Sequence, residues 1–151
     1  MKADKNAISD FLFFQEDEIT SSIVYAKLAY IVKDSENKKT LLQIAAEEKA
    51  HYEILKRHTG KEVAPNRWRI FKYYWLARIL GLTFAIKLME KEERDAQEVY
   101  ARYPEYPELE KLGRDEEVHE QKLIGLINEE KLEYMGSVVL GLNDALVEFT
   151  G

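Results

Sequence analysis

Cysteine is absent from the 151-residue chain. That excludes disulfides, a thiolate zinc site and a cysteine nucleophile from these residues, and it fits a reducing compartment, so the expected location is the cytoplasm. Glycine and proline are scarce, at 7 and 3 residues, and with so little turn chemistry the chain reads as long helices. No run of about 18 or more apolar residues occurs, so no segment is expected to span a membrane unaided. Met1 to Asp10 lacks the apolar stretch of a signal peptide. Basic residues are outnumbered, 22 against 28 acidic, for a net charge of −6. A nucleic-acid footprint needs a basic face, so no nucleic-acid partner is expected. What is plentiful is apolar side chains, 46% of residues beside 33% charged, the balance of one folded domain with a sizeable core.

Four long segments carry helical periodicity, and the expected class is all-α. The first runs from about Asn6 to Val32. The second starts at Asp34 or Ser35, either of which can cap it, and stops at Gly60. The third runs from about Arg67 to Arg102, with Gly81 placed to kink or break it. Pro104 and Pro107 end it, and Pro107 suits the first position of a fourth helix reaching about Glu133. The tail from Gly136 to Gly151 is expected to form a short fifth helix. The chain thus divides into a bundle over 1–134 and an apolar tail over 135–151. Short links at Lys33–Glu36 and Pro104–Pro107 make helices one and two antiparallel neighbours, and likewise three and four. A longer middle link, Lys61 to Leu80, then crosses over between helices two and three. It is rich in aromatics, among them Trp68, Phe71, Tyr73, Tyr74 and Trp75. The segment reads as a crossover covering one end of the bundle. Its interleaved Arg67, Arg69, Lys72 and Arg78 also suit a helix lying on a membrane surface.

Each long helix has a core stripe at three-to-four spacing. Helix one gives Phe11, Phe14, Glu18, Ser21, Tyr25, Leu28 and Val32. Helix two gives Leu41, Ile44, Glu48, His51 and Leu55. Helix three gives Leu82, Ile86, Met89, Glu93, Ala96 and Tyr100, and helix four gives Leu109, Leu112, Glu116, His119 and Leu123. Every stripe is apolar until one glutamate intrudes, and on helices two and four a histidine follows it by three residues. Carboxylates facing one core are costly and repel each other. Two divalent cations would balance four such charges, with the imidazoles binding as neutral ligands. Spacing of three puts Glu and His on one face, so both reach the same site. Two single Glu plus two Glu-x-x-His pairs is the ligand set of di-iron and di-manganese carboxylate bundles of ferritin-like type. The expected ligands are therefore Glu18, Glu48, His51, Glu93, Glu116 and His119. Oxygen and nitrogen donors without sulfur suit iron or manganese and also admit zinc. The order Glu-x6-Tyr, then Glu-x-x-His, occurs twice, from Glu18 to His51 and from Glu93 to His119. This internal repeat predicts a pseudo-two-fold axis through the site.

Other residues attach to this set. Tyr25 and Tyr100 lie two turns, about 10 Å, from their glutamates. Their hydroxyls can bond ligand carboxylates or relay electrons, or the rings can simply fill the core. Glu47 and Asp115 precede the two Glu-x-x-His glutamates and are candidate acceptors for the second N–H of a ligating histidine. Glu90, one turn before Glu93, is an alternative ligand. His58 has no Glu three residues before it and reads as a cation at a helix end.

The segments "QIAAEEKAHYEIL", "EITSSIVY" and "EERDAQEVY" resemble the motifs of the rubrerythrin branch of the ferritin-like superfamily, and the resemblance covers about Ser9 to Glu129. It implies the same six ligands and a protein that oxidises Fe(II) with O2 or peroxide, or reduces peroxide, at a di-iron centre, in iron handling and oxidative-stress protection. Classical members add a four-cysteine rubredoxin module. These residues have no cysteine, so peroxide reduction would need an external electron donor. A non-catalytic iron-sensing module is the remaining reading. "GLNDALVEFTG", Gly141 to Gly151, is similar to the start of the first membrane helix of vacuolar-iron-transporter-like proteins, and "WLARILGLTFAIKLMEKEE" to the third-helix region of their fused metal domains. That implies the soluble metal domain of such a fusion, or a stand-alone relative, with a link to a membrane iron transporter. The tail's Val138, Val139, Leu140, Leu142, Ala145, Leu146 and Phe149 need cover. They are expected to dock on an apolar surface, of their own bundle or of a second chain, with a homodimer favoured and Trp68 to Trp75 as a candidate receiving surface.

Overall fold

A computed structural model describes the backbone of residues 5–150, and the side chains of that span other than 5, 6, 92–99, 128–134, 137, 139 and 142–150. The described residues are all-helical. In order the helices are α1 (Lys5–Ala29), α2 (Ser35–Thr59), α3 (Arg67–Leu80), α4 (Leu82–Tyr100) and α5 (Pro107–Thr150). None among the described residues is long and apolar enough to cross a membrane.

The helix ends follow local chemistry. The Asp34 side chain accepts from the Asn37 N–H at 2.8 Å and starts α2, satisfying one of the orphan donors of its first turn. Gly60, at φ 67°, closes that helix in the left-handed conformation, its N–H returning to the Lys56 carbonyl at 2.8 Å. Asn66 caps α3 in the same way, accepting from the Arg69 N–H at 3.1 Å. Pro107 occupies the first position of α5. At the end of α1 the Tyr30 and Ile31 N–H groups turn back three residues, to Lys27 and Leu28. This tightened turn ends the helix at Ala29, short of the expected Val32.

Gly81 breaks the expected third helix in two rather than kinking it. Its φ of 93° and ψ of 158° lie in a region essentially reserved for glycine. The tail departs from expectation in the opposite sense. Instead of a separate fifth helix after Gly136, α5 continues unbroken to Thr150. No proline interrupts it, and Gly136 and Gly141 keep ordinary helical φ, so nothing forces a turn there. At about 1.5 Å per residue its 44 residues span roughly 66 Å. Met135, Val138 and Leu140 are exposed along it; the side chains of Val139, Leu142, Ala145, Leu146 and Phe149 lie outside the described residues.

Pairings run in opposite directions along neighbouring helices. On α1 and α2 the Ser22 hydroxyl donates to the Ala45 carbonyl at 2.7 Å, and Thr59 Oγ1 donates to Gln15 at 2.7 Å. On α2 and α5, His51 meets Asp115 and His58 meets Glu108. Both pairs are therefore antiparallel. α3 packs against α1 and α4, tied to α1 by the Arg69–Asp17 ion pair and by the Asn66 N–H donating to Thr20 Oγ1 at 2.9 Å. Two apolar clusters result. One gathers Leu28, Leu41, Ile44, Tyr73, Ile86, Met89 and Leu123; the other gathers Phe11, Phe14, Leu55, Tyr100, Leu109 and Leu112. On α1, α2 and α5 the residues between the two clusters are Glu18, Glu48 with His51, and Glu116 with His119.

Because a Cβ at Gly81 would meet nothing within 4 Å, the cost of adding one there is backbone strain alone. Gly81→Ala is expected to lower unfolding free energy by about 1–3 kcal/mol. Gly125→Ala, also without a neighbour within 4 Å but in regular helix, should be neutral or stabilising by up to about 1 kcal/mol. Denaturant melts of the two variants check this, and equal effects would contradict the assigned conformation of Gly81.

Candidate metal centre

The layer between the clusters is polar and nearly sealed. Glu18, Glu48, His51 and His119 are buried, and Glu116 almost so. Ligand atoms of Glu18, Glu48, His51 and Glu116 lie within 4.8 Å of one another, a group able to hold a metal ion. His119 adjoins it, with Nδ1 3.1 Å from Glu48 Oε1.

The two imidazoles stack with ring centroids 5.7 Å apart, and both turn Nδ1 inward. Glu48 and Glu116 lie between them, and each offers one oxygen to either side. Glu48 sets Oε2 3.7 Å from His51 Nδ1 and Oε1 3.1 Å from His119 Nδ1. Glu116 sets Oε1 3.2 Å from His51 Nδ1 and Oε2 3.8 Å from His119 Nδ1. Glu18 serves the His51 side alone, at 3.4 Å. Glu93, its counterpart in the repeat, is on α4, and its side chain lies outside the described residues.

The outward nitrogens are held by a crossed pair of acids. His51 Nε2 is 3.2 Å from Asp115 of α5, and His119 Nε2 is 2.6 Å from Glu47 of α2. Each histidine is thus oriented by the residue preceding the other motif's glutamate. With Nε2–H donating, Nδ1 is left as a lone-pair donor facing inward, the arrangement that ligating histidines adopt. Lys122, 3.3 Å from Glu47, supports that carboxylate from outside.

Four atoms of the layer are buried without a hydrogen bond: Glu18 Oε2, His51 Nδ1, Glu116 Oε1 and His119 Nδ1. Their mutual contacts have ion-pair distance but not hydrogen-bond geometry. Buried unpaired polar atoms cost about 1–3 kcal/mol each, and here they converge on one place. The donor set of carboxylate oxygens and imidazole nitrogens therefore fits a hard or borderline divalent cation.

Without such a cation, protons do the balancing. Burial, then the nearby Glu48 charge, pushes Glu18 well above the usual carboxylate range. Burial works against ionised Glu48 too, but Glu18 and the two imidazoles outweigh it and hold it low. Two buried carboxylates this close disfavour the doubly ionised state, so the pair shares a proton. Burial disfavours charged His119, yet Glu116 and Glu48 raise it to about 10, and His51 is raised likewise against burial by Glu116, Glu18 and Glu48. Tyr100, kept in its neutral form by burial and the Glu18 charge, donates its hydroxyl to Glu18 Oε1 at 2.8 Å.

Tyr25 is buried in the cluster with Leu28 and Leu41, on the other side of the layer from Tyr100. Glu90 is partly buried on α4 and outside the grouped ligand atoms. His58 bonds Glu108 at 2.6 Å near the start of α5, away from the layer. One contributor escaped the sequence reading. Asp17 lines the small cavity at the layer together with Phe14, Glu18, Ser21, Glu48, Tyr100 and Glu116. It is off the helix-one stripe, and its partner Arg69 comes from α3, so no spacing rule points to the pair. No protein-family model, curated protein or solved structure matches this chain.

A pH dependence follows. His119 binds its proton more tightly folded than unfolded, so its contribution is complete below pH 6.5 and is lost as pH rises toward about 10. Raised Glu18 acts in the same sense. Metal-free protein should lose stability from pH 6.5 upward, and Mn(II) binding should release protons and tighten over that range. Thermal melts with and without Mn(II), and proton release by calorimetry in two buffers, check this. A flat stability profile with no proton release would contradict it.

Proposed function

We propose that the chain is a ferritin-like di-iron carboxylate protein of rubrerythrin type, which binds two metal ions and oxidises Fe(II) with O2 or peroxide. One observation carries the reading: the buried, unbonded oxygens and inward Nδ1 atoms converge between two apolar clusters. Two ions rather than one are favoured because each imidazole has its own carboxylate environment while Glu48 and Glu116 face both. The helix order supports the bundle. α1–α2 and α4–α5 are sequential neighbours, with α3 as the connection that crosses between them.

In this reading His51 and Glu18, with Glu48 and Glu116, would hold one ion. His119, with the same two glutamates, would hold the second, and the sequence pattern assigns Glu93 to it. A bound iron pair supplies two electrons in total to an oxidant. The chain's own residues do the rest. Asp115 and Glu47 fix the imidazole tautomers, Tyr100 steadies Glu18, and the apolar clusters keep bulk water from the layer. These 151 residues contain no cysteine, so peroxide reduction over many cycles calls for a separate electron donor. The sense of the location remains cytoplasmic, and the exposed Met135, Val138 and Leu140 of α5 support a homodimer formed through that helix.

The protein loaded with Fe(II) should oxidise it on addition of O2 or peroxide, and NADH alone should not sustain peroxide turnover. Glu48→Ala with Glu116→Ala should lower Fe(II) oxidation at least 100-fold, on the order of removing groups worth about 3 kcal/mol. Stopped-flow absorbance decides it. Unchanged oxidation by the double variant would overturn the site, and rapid NADH-driven peroxide turnover by the isolated chain would overturn the need for a separate donor.

A further inference from the structure

α3 presents an apolar stripe to the outside. Trp68, Phe71, Trp75 and Ile79 are 69%, 54%, 45% and 73% exposed. At 3.6 residues per turn these positions fall on one line along the helix. The side chains touch along it: Trp68 stacks on Phe71 at 5.7 Å, and Phe71 meets Trp75 at 6.2 Å. The opposite face, with Tyr73 and Ala77, is buried against the rest of the molecule. Four large apolar side chains in a continuous exposed row are more than scattered surface hydrophobicity.

Charge decides what this row meets. The sequence of α3, RWRIFKYYWLARIL, has four cations and no acid, in a chain whose net charge is −6. Arg69 is engaged with Asp17. By helical geometry Lys72 falls on one flank of the stripe, and Arg67 and Arg78 on the other. A second copy of the same face would bring these cations against cations with no acid in the helix to offset them, which disfavours self-association here. An apolar stripe bearing tryptophans and flanked on both sides by cations suits the boundary between acyl chains and anionic headgroups, where the apolar row enters and long cationic side chains reach phosphate. Beside the stripe a cleft of about 390 Å³ opens between α1 and α3. Its walls are mainly apolar, from Ile23, Pro65, Ile70 and Phe71, with Lys27 and Arg67 among the lining residues.

We propose that α3 docks the protein in-plane on an anionic lipid surface, with the Trp68–Phe71–Trp75–Ile79 row inserted and Arg67, Lys72 and Arg78 at the level of the phosphates. The proposal is independent of the metal site.

The chain has two tryptophans, and both are on this stripe, so intrinsic fluorescence reads the contact directly. Mixing the full chain with phosphatidylglycerol–phosphatidylcholine vesicles should shift tryptophan emission to the blue and carry the protein into the vesicle pellet. Pure phosphatidylcholine should do much less, and added salt should reverse the binding. Replacing Arg67, Lys72 and Arg78 together by Gln should weaken partition on the order of 100-fold, from roughly fivefold for each cation near the surface. Arg67 and Arg78 are exposed and Lys72 is half-buried with its ammonium 4.4 Å from the Tyr73 ring centroid, so an unchanged circular dichroism spectrum is the check that the triple variant keeps its fold. An unshifted emission at saturating anionic lipid overturns the proposal, as does a triple variant that binds as tightly as the parent. A vesicle-free blue shift that grows with protein concentration, together with a dimer abolished by Trp68→Ser and Trp75→Ser, overturns it in favour of a self-interface.

Discussion

Carboxylates and imidazoles share one layer between two apolar clusters of the core, and the energy of keeping them there shapes what surrounds them. Three glutamates and two histidines, drawn from α1, α2 and α5, converge where burial leaves little access to bulk solvent. Taken alone, each buried charge would cost several kcal/mol. The outward nitrogens are satisfied by Asp115 and Glu47, so the remaining demand falls on the inward atoms. Those atoms lack hydrogen bonds among themselves. Protons held by the carboxylates and the imidazoles offset the charge in part, and the balance is one that divalent cations would complete.

The crossed orientation of the histidines has a structural consequence. Asp115 of α5 holds His51 of α2, and Glu47 of α2 holds His119 of α5, so the two motif helices are bound to each other at two points. The two contacts are reciprocal, each histidine held by the residue that precedes the other motif's glutamate. The same pairs fix which nitrogen faces inward. Orientation of the ligating atoms and registration of α2 on α5 are therefore one set of interactions.

Much of this was legible from residue spacing. The stripe residues Phe11, Phe14, Leu41, Ile44, Leu55, Leu109, Leu112 and Leu123 are all buried, because a three-to-four repeat leaves an antiparallel helix pair few other ways to cover its apolar face. Glu18, Glu48, His51, Glu116 and His119 meet for the same reason, since each occupies a position that must face inward. The crossing of Glu47 and Asp115 was not legible, because it depends on how far α2 and α5 are offset, which spacing within one helix does not encode. Nor was the Asp17–Arg69 pair, which joins helices remote in sequence. At Gly81 the sequence marked the weak point but left kink and break open; the positive φ settles it as a break. The tail was read as separate because its composition changes, yet composition does not end a helix without a residue that refuses helical backbone, and α5 continues. The exposed stripe on α3 was ambiguous in sequence because aromatic residues at helical spacing serve equally well inside a core.

The central claim is that the polar layer is a two-metal site, and anomalous diffraction from crystals equilibrated with Mn(II) or Fe(II) tests it most directly. The account predicts two anomalous peaks within the layer, one beside Nδ1 of His51 and one beside Nδ1 of His119, with Glu48 and Glu116 contacting both and Glu93 completing the second. Absence of a peak in the layer at saturating metal, or a histidine turned to present Nε2 inward with its bond to Asp115 or Glu47 broken, would contradict it.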